Sequence, residues 1–269
     1  MRKKIAAGEK VANYTVKGIV LDSDLKGERD VEADVFTLER GRIRMTARGT
    51  KKLESTLRGA VEPFTEGLFF LAESRGTDIL TEWEAINCYF ELKKKPESLA
   101  TAGFLSRYII KALPTGSPDP ILYILTKNIL KLLQFSIRHD IMMTVIKWGL
   151  LMASGQAPEM DVCAECGSSV EKGGEGWSVE AGGAVCGVCG EGRKLRPGAT
   201  GFGRSARAVA KGLLEIEIDS REEAAAHAAA ISVLGNDDRK AAEEFSTALG
   251  RFCDYHLLDG ISKLEMRAR

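Results

Sequence analysis

The chain has 269 residues, of which 44% are hydrophobic. This content can fill a sizeable core and excludes wholesale disorder, and the length suits about two domains. Lys plus Arg and Asp plus Glu are both 38, so the chain is formally neutral, which excludes a uniformly basic, histone-like protein and confines any polyanion site to a local patch.

Residues 1–88 have the pattern of short β-strands. Apolar and polar residues alternate, or β-branched and aromatic residues cluster, between polar turns. The predicted strands are Tyr14–Leu21, Val31–Leu38, Ile43–Gly49, Leu68–Ala72 and Thr77–Trp83, with Glu39–Arg42 as a hairpin turn. Five short strands with regular turns predict a small β-barrel of the OB-fold type.

From residue 89 the apolar residues recur at helical spacing. The predicted helices are Pro96–Leu113, Pro120–Leu133, Ile141–Met152, Arg204–Leu214, Ser220–Leu234 and Arg239–Leu258. Ile141–Met152 is apolar on most sides and is expected to be the central helix of a bundle. It is too short to span a bilayer. Gly201–Ala206 fits Gly-x-Gly-x-x-Ala, but no buried strand precedes it, so we interpret it as a loop with a helix start.

The expected fold class is therefore α+β with several domains. The OB-fold occupies residues 1–88, and a helical domain is formed by residues 89–160 and 197–269. A glycine-rich module, residues 161–196, is inserted between the two helical segments. The first ten residues carry basic side chains but no apolar stretch like that of a signal peptide, which favours a cytoplasmic protein without membrane association.

Four of the six cysteines form two Cys-x-x-Cys pairs, Cys163 with Cys166 and Cys186 with Cys189, separated by nineteen residues. This spacing is typical of a four-thiolate Zn²⁺ site, and four ligands leave no open position, so we expect one structural zinc per chain. Gly167 and Gly190 follow the pairs and are expected to adopt left-handed conformations. Disulfides or a redox dithiol are the alternatives. Disulfides suit an oxidising compartment, and a redox pair needs a strand-to-helix context.

A basic run stands out in this neutral chain. Between Arg40 and Arg58 seven basic residues face one acidic residue, Glu54. The predicted DNA-binding residues are Arg42, Arg44, Arg48, Lys51, Lys52 and Arg58. The even spacing of the first three places them on one strand face, where they could follow a phosphate backbone. The prediction requires these cations to be open to solvent and not held by carboxylates. The alternative is a solvated strand face without a ligand.

Catalytic motifs are not found in the sequence. The three histidines, His139, His227 and His256, are scattered, and neither a Gly-x-Ser-x-Gly elbow nor a nucleotide-binding P-loop occurs. We therefore expect a non-enzymatic protein. A metal-dependent enzyme would need an open zinc position and a nearby general base, and the cysteine segment offers neither.

Several phrases in order resemble the RecO family of recombination mediators. They are Lys17–Leu21, Gly27–Asp30, Phe36–Ile43, Ala47–Lys52, Pro63-Phe64, Asp119-Pro120, Leu150-Leu151 with Gly155 and Pro158, Cys163–Gly167 and Gly182–Cys186. The order and spacing of these phrases carry the resemblance. The chain departs from the family at Thr144–Lys147, the entry to the central helix, and this leaves Arg138 and Lys147 as weak candidates for docking an acidic protein tail.

The resemblance implies an OB-fold, a helical domain and a zinc module. It also implies binding to single- and double-stranded DNA, annealing of complementary strands, and help in loading RecA onto strands covered by single-strand-binding protein. The implied partners are RecR and the C-terminal tail of single-strand-binding protein. The rival interpretation is a zinc-ribbon adaptor that binds proteins without binding DNA directly.

Overall fold

A computed structural model describes residues 12–50, 54–170, 176–196 and 198–256. The chain divides into two compact units. The first comprises Met1–Cys88 with Leu113–Asp119, and the second comprises Tyr89–Ala112 with Pro120–Arg269.

The first unit is built on five strands that close into a barrel. They are β1 (Asn13–Lys26), β2 (Asp30–Thr37), β3 (Gly41–Ala47), β4 (Glu66–Ala72) and β5 (Asp78–Asn87). Their order around the barrel is β1-β2-β3-β5-β4, and all pairs are antiparallel except β3 with β5. A short 3-10 helix, Gly59–Val61, precedes β4. The barrel confirms the OB-type prediction, although β1 continues past the predicted end at Leu21.

The barrel is closed around an apolar core contributed by alternating strand positions. Its fully buried members include Val20, Val35, Met45 and Phe69. β1 pairs with β4 through its first half and with β2 through most of its length, with an irregularity between Val20 and Asp22. Such an irregularity lets a long strand bend between two neighbours.

The loop Leu113–Asp119 packs against the start of β3. Gly116 donates its backbone N–H to Arg42 O at 2.9 Å. Gly41 has a φ of +65°, and a Cβ at this position would lie 2.0 Å from Ser117 O. Gly41 therefore fits both the turn and the close approach of this loop, which no larger residue could do.

The second unit contains seven helices among the described residues. They are α1 (Phe90–Lys93), α2 (Pro96–Ala112), α3 (Pro120–Leu132), α4 (His139–Ala153), α5 (Ala199–Glu215), α6 (Arg221–Val233) and α7 (Arg239–His256). α4 contacts α2, α3, α5, α6 and α7, which confirms its predicted central position. Its apolar surface is buried on most sides, and Trp148 has no exposed area.

Two helix boundaries illustrate how local chemistry sets the bundle. Ser220 caps α6 as its residue type suggests, because its hydroxyl accepts the N–H of Glu223 at 3.0 Å. The predicted loop at Gly201–Ala206 is wrong, since α5 begins at Ala199. Gly203 lies within this helix. A Cβ there would come 2.3 Å from the Phe245 ring, so the absence of a side chain allows the ring to pack against the helix.

The cysteine segment contributes a two-stranded hairpin, β6 (Gly176–Ser178) with β7 (Gly183–Val185). Its small apolar cluster consists of Cys163, Val170, Ala184 and Val185. Of the helices in the described ranges, none has the length and apolar character that a membrane crossing requires. Residues 257–258 of the last predicted helix lie outside the described residues.

Candidate metal centre and candidate nucleic-acid interface

The two Cys-x-x-Cys pairs form matching turns. Gly167 donates its N–H to Cys163 O at 2.8 Å, and Gly190 donates its N–H to Cys186 O at the same distance. Each turn points both of its sulfur atoms to one side. The β6–β7 hairpin separates the pairs in sequence and brings the second turn against the first.

All four sulfur atoms lie within 4.8 Å of one another. Cys166 Sγ and Cys186 Sγ are 3.8 Å apart. A tetrahedral ion bound at 2.3 Å by thiolates would separate its sulfur ligands by about 3.8 Å. The four cysteines are free thiols and are not joined as disulfides. The residues present therefore fit a four-coordinate metal ion, and the disulfide alternative is not realised.

The hydrogen bonds of the cluster divide its thiols into acidic and basic members. Backbone donation from Cys186, followed by that from Cys166, lowers the pKa of Cys163 to about 6. Hydrogen bonding to the sulfur of Cys166, and then to that of Cys186, raises the pKa of Cys189 to about 12. Four thiolates held within 4.8 Å of one another repel each other, and a bound cation would offset that repulsion.

Gly190 departs from its predicted conformation. Gly167 has the expected positive φ of +74°, but Gly190 is not among the glycines with positive φ. A Cβ at Gly190 would lie 2.8 Å from Val185 Cγ2 and 2.9 Å from Cys186 O. Gly190 is thus required by the close approach of the hairpin to the second turn, and left-handed backbone is required only at the first turn.

Side chains of the helices hold the cysteine module in place. Arg204 donates to Met160 O at 2.7 Å, and Arg207 pairs with Asp161 at 2.9 Å. Trp177 of β6 meets the ring of Phe245 edge-on, with 5.4 Å between centroids. The module therefore has polar and aromatic contacts to α5 and α7 in addition to its own thiolates.

Arg42 has a structural position in the barrel. Its Nη1 donates to Asp34 Oδ1 at 2.7 Å and its Nε donates to Leu113 O at 3.2 Å. Only 17% of the side chain is exposed. The guanidinium joins β2, β3 and the Leu113–Asp119 loop, so its donors are directed into the protein. The expectation that Arg42 is open to solvent is therefore not met.

Arg44 shares the same carboxylate but is more open. Its Nη2 lies 2.8 Å from Asp34 Oδ2 and its Nη1 lies 3.8 Å from Glu32 Oε2, while 52% of the side chain is exposed. These contacts raise the pKa of Arg44, first through the hydrogen bond to Asp34. Arg42 and Arg44 do share one face, as their spacing predicts, but carboxylates hold both of them, so the expectation of cations free of carboxylates is not met for Arg44 either.

The other predicted cations lie after β3. Arg48 and Arg58 are exposed, and β3 ends at Ala47, so Arg48 belongs to the following turn and not to the strand. Lys51 and Lys52 lie outside the described residues. The continuous cationic stripe expected on one strand is thus divided. Arg44 is paired on the sheet face, and Arg48 is presented by a turn beyond it.

Sequence reasoning missed the roles of Glu32 and Asp34, two of the three carboxylates on β2. Asp34 is the direct cross-strand partner of Arg44, and Glu32 is the partner of Thr46. The position of the β2–β3 turn could have revealed both contacts. β2 ends at Thr37 and β3 begins at Gly41, whereas a turn placed at Glu39–Arg42 shifts the pairing and hides both contacts. Register, rather than composition, decides which charges meet.

The two candidates for docking an acidic tail are both engaged. Arg138 pairs with Asp140 at 2.6 Å and donates to Asn236 Oδ1 at 3.0 Å. Lys147 is buried on α4. Among the aromatic residues of the barrel, Phe36 and Phe69 are fully buried. The Tyr14 ring is covered by the Arg40 guanidinium, 3.7 Å from its centroid.

Comparisons with known proteins match most of the chain. The family profile "Recombination protein O N terminal" matches residues 11–89, and "Recombination protein O C terminal" matches residues 94–265. DNA repair protein RecO of Pelotomaculum thermopropionicum is 30% identical over 205 residues, covering 76% of this chain and 75% of that protein. The protein of the same name from Rubrobacter xylanophilus is 30% identical over 181 residues, covering 66% and 72%. That of Bacillus pumilus is 29% identical over 173 residues, covering 64% and 67%.

Proposed function

This chain belongs to the RecO family, and from that premise we propose that it is a DNA repair and recombination mediator. In this role it binds single- and double-stranded DNA, anneals complementary strands and helps to load RecA onto strands covered by single-strand-binding protein. The observation that carries the proposal is the match of both family profiles to a chain whose first unit is an OB-type barrel, a fold that commonly binds oligonucleotides.

The proposed DNA contact is made by charge on the barrel. Arg44, Arg48, Lys51, Lys52 and Arg58 are the candidate phosphate ligands, and Arg42 is assigned to holding the fold. Contacts to phosphate carry no sequence information and leave base edges free. Two strands held in this way could still pair, which is what annealing requires.

We assign Zn²⁺ to the four-cysteine site. Zinc is the usual ion for a closed tetrahedral set of thiolates, and such sites stabilise folded modules instead of activating water. When bound, the ion would supply the positive charge that lets all four sulfur atoms ionise. Cys163, Cys166, Cys186 and Cys189 would hold it, and no step of DNA binding needs to pass through it. We propose no covalent catalysis by this protein.

The proposed partners follow from the family. They are RecR, the C-terminal tail of single-strand-binding protein and, indirectly, RecA, and they imply a cytoplasmic site of action. The engagement of Arg138 by Asp140 and Asn236 means that an acidic tail would have to displace Asp140 to use this guanidinium. Tail binding at Arg138 therefore requires the Arg138–Asp140 pair to open.

One observation favours the rival adaptor function. Asp34 and Glu32 already neutralise part of the basic face, and Val188, between two metal-site cysteines, is 87% exposed. An adaptor would use such an apolar tip to contact a protein and would leave DNA unbound. The two functions differ in whether single-stranded DNA binds with a salt-dependent affinity.

The test is fluorescence anisotropy of labelled single-stranded DNA across a salt series. If about four phosphates are engaged, the slope of log affinity against log salt should be about −3. Arg44→Ala combined with Arg48→Ala should weaken binding several-fold at low salt and reduce the slope by up to about 1.4. Arg239→Ala with Arg251→Ala removes the same charge from exposed positions of α7 and is the matched control. Wild-type protein that shows no salt-dependent DNA binding would favour the adaptor.

A further inference from the structure

Glu32 is the centre of a small charge network on the barrel face formed by β1, β2 and β3. Lys26 Nζ donates to Glu32 Oε1 at 2.6 Å, and Thr77 Oγ1 donates to the same oxygen at 2.8 Å. The other carboxylate oxygen lies 3.8 Å from Arg44 Nη1. One carboxylate thus meets cations from the two strands that flank β2.

Asp34 extends this network along the same face of β2. Residues two apart on a strand point to the same side, so Glu32 and Asp34 lie side by side. Asp34 holds Arg44 from its second nitrogen at 2.8 Å. Arg44 therefore has one carboxylate on each terminal nitrogen, the arrangement that two oxygens of a phosphate could otherwise provide.

The cations of this network remain within reach of a ligand. The side chains of Lys26 and Arg44 are 51% and 52% exposed, while that of Glu32 is 21% exposed. A phosphate could approach either cation from solvent. To bind either one fully, it would have to replace a carboxylate that is already in contact with it.

We propose that Glu32, supported by Asp34, is an internal counter-anion that competes with DNA phosphates for Arg44 and Lys26 and thereby limits the affinity of the barrel for DNA. This inference rests on the proposed function, and it adds Lys26 to the candidate phosphate ligands. The same carboxylate also moderates the salt response, because a cation held by the protein neutralises less phosphate charge and so releases fewer counterions from the DNA.

Glu32 is suited to this role at neutral pH. A glutamate is ionised at neutral pH even at its ordinary pKa. The hydrogen bond from Lys26, followed by that from Thr77, lowers the pKa of Glu32 further. A weak competitor is useful to a protein that must release DNA, since it lowers affinity without removing the cations that attract the strand.

The experiment compares Glu32→Gln with Glu84→Gln in the full-length protein, using the same labelled single-stranded DNA and salt series. Gln keeps the shape of the side chain and can still accept from Thr77. Glu84 is exposed on β5, and its substitution makes the same change in net charge away from this network. Glu32→Gln should tighten binding about twofold to fivefold, the factor expected for releasing an exposed ion pair. Its salt slope should become more negative by up to about 0.7, chiefly through Lys26, because Asp34 still holds Arg44.

A second set of variants removes the cations that Glu32 is proposed to hold. In a protein carrying Lys26→Ala and Arg44→Ala, the added Glu32→Gln change should have no more effect than Glu84→Gln. A gain that survives without these cations, or equal effects of Glu32→Gln and Glu84→Gln in the otherwise wild-type protein, would overturn the inference while leaving DNA binding intact. Absence of DNA binding by the wild type would instead reject the proposed function.

Discussion

The cysteine module and the barrel face assemble their candidate sites in different ways. In the module, each pair of ligands lies on one turn, closed by a hydrogen bond from the glycine that follows it. On the barrel face, each cation takes its environment from another strand, as Arg44 does from Asp34 and Glu32. The cysteine cluster is therefore specified by a short sequence motif, whereas the charge pairs of the barrel face depend on strand register.

Because of this difference, a Cys-x-x-Cys pair predicts its environment from the sequence more reliably than a charged residue does. Four thiols at the observed spacing have few arrangements open to them except a shared ion. An arginine in a basic run can face solvent, hold a loop or pair with a carboxylate, and Arg48, Arg42 and Arg44 represent these three outcomes.

The largest effect is expected from breaking the metal centre. Cys166→Ser should reduce bound zinc from about one ion per chain to well under half, because a structural site needs all four thiolates. Elemental analysis of purified protein measures the loss, and the fluorescence of Trp177, which packs on Phe245, should report loosening of the module.

Cys88→Ser is the matched control for that experiment, since this half-buried thiol lies outside the cluster. It should leave the zinc content unchanged. Full zinc occupancy in the Cys166→Ser protein would contradict the four-thiolate site, and equal losses in both variants would point to general misfolding.

Arg42→Ala is expected to have the next largest effect, on stability. It removes a partly buried guanidinium that donates to Asp34 and to Leu113 O, and hydrogen bonds of this charged kind contribute about 2–3 kcal/mol to the free energy of unfolding. Arg44→Ala leaves Asp34 its bond to Arg42 and should cost less than about 1 kcal/mol. Urea denaturation followed by circular dichroism measures both.

The two variants should differ in the salt dependence of their DNA binding. Arg44→Ala should flatten the salt dependence of binding, whereas Arg42→Ala should keep it once folding is complete. Equal stability of the two variants would mean that Arg42 does not hold the barrel as its contacts indicate, and the division of the basic run between structure and binding would fail.

Much of the fold follows from sequence pattern alone. Alternation located the five strands, helical spacing located the six longer helices, and Asp119-Pro120 marked the start of α3. The four-residue helix α1 and the three-residue strands β6 and β7 were not predicted individually, because elements this short have too few residues to show a period. The start of α5 was predicted too late because the glycines in its first turns resemble a loop. Their helical role becomes clear only from the Phe245 ring that packs on Gly203, and this contact cannot be read from the sequence.

The clustering of the four cysteines follows from their spacing, whereas the surroundings of the basic residues were not predicted. Cys163, Cys166, Cys186 and Cys189 need only their spacing, and the structure brings them together. The pairing of Arg44 with Asp34 depends on where the β2–β3 turn falls, and displacing a turn by one or two residues exchanges every cross-strand partner. Long-range contacts such as Arg42 with Leu113 O have no signal in a single sequence.

The smallest effect expected is a shift in one carboxyl titration, and it tests the network that sets the barrel face apart. Lys26 lowers the pKa of Glu32 below its ordinary value of 4.5. A lowered pKa means that the ion pair stabilises the fold above the ordinary value and loses this contribution as the pH falls through the folded value. Lys26→Ala should move the Glu32 titration, followed by carboxyl NMR, back toward 4.5.

Glu91, whose pKa is lowered first by its hydrogen bond from Lys94, is the internal control. It should respond to Lys94→Ala and not to Lys26→Ala, because each pair is a local contact. If the Glu32 titration does not move, Lys26 is not held by this carboxylate. Glu32 would then compete with DNA phosphates for Arg44 only.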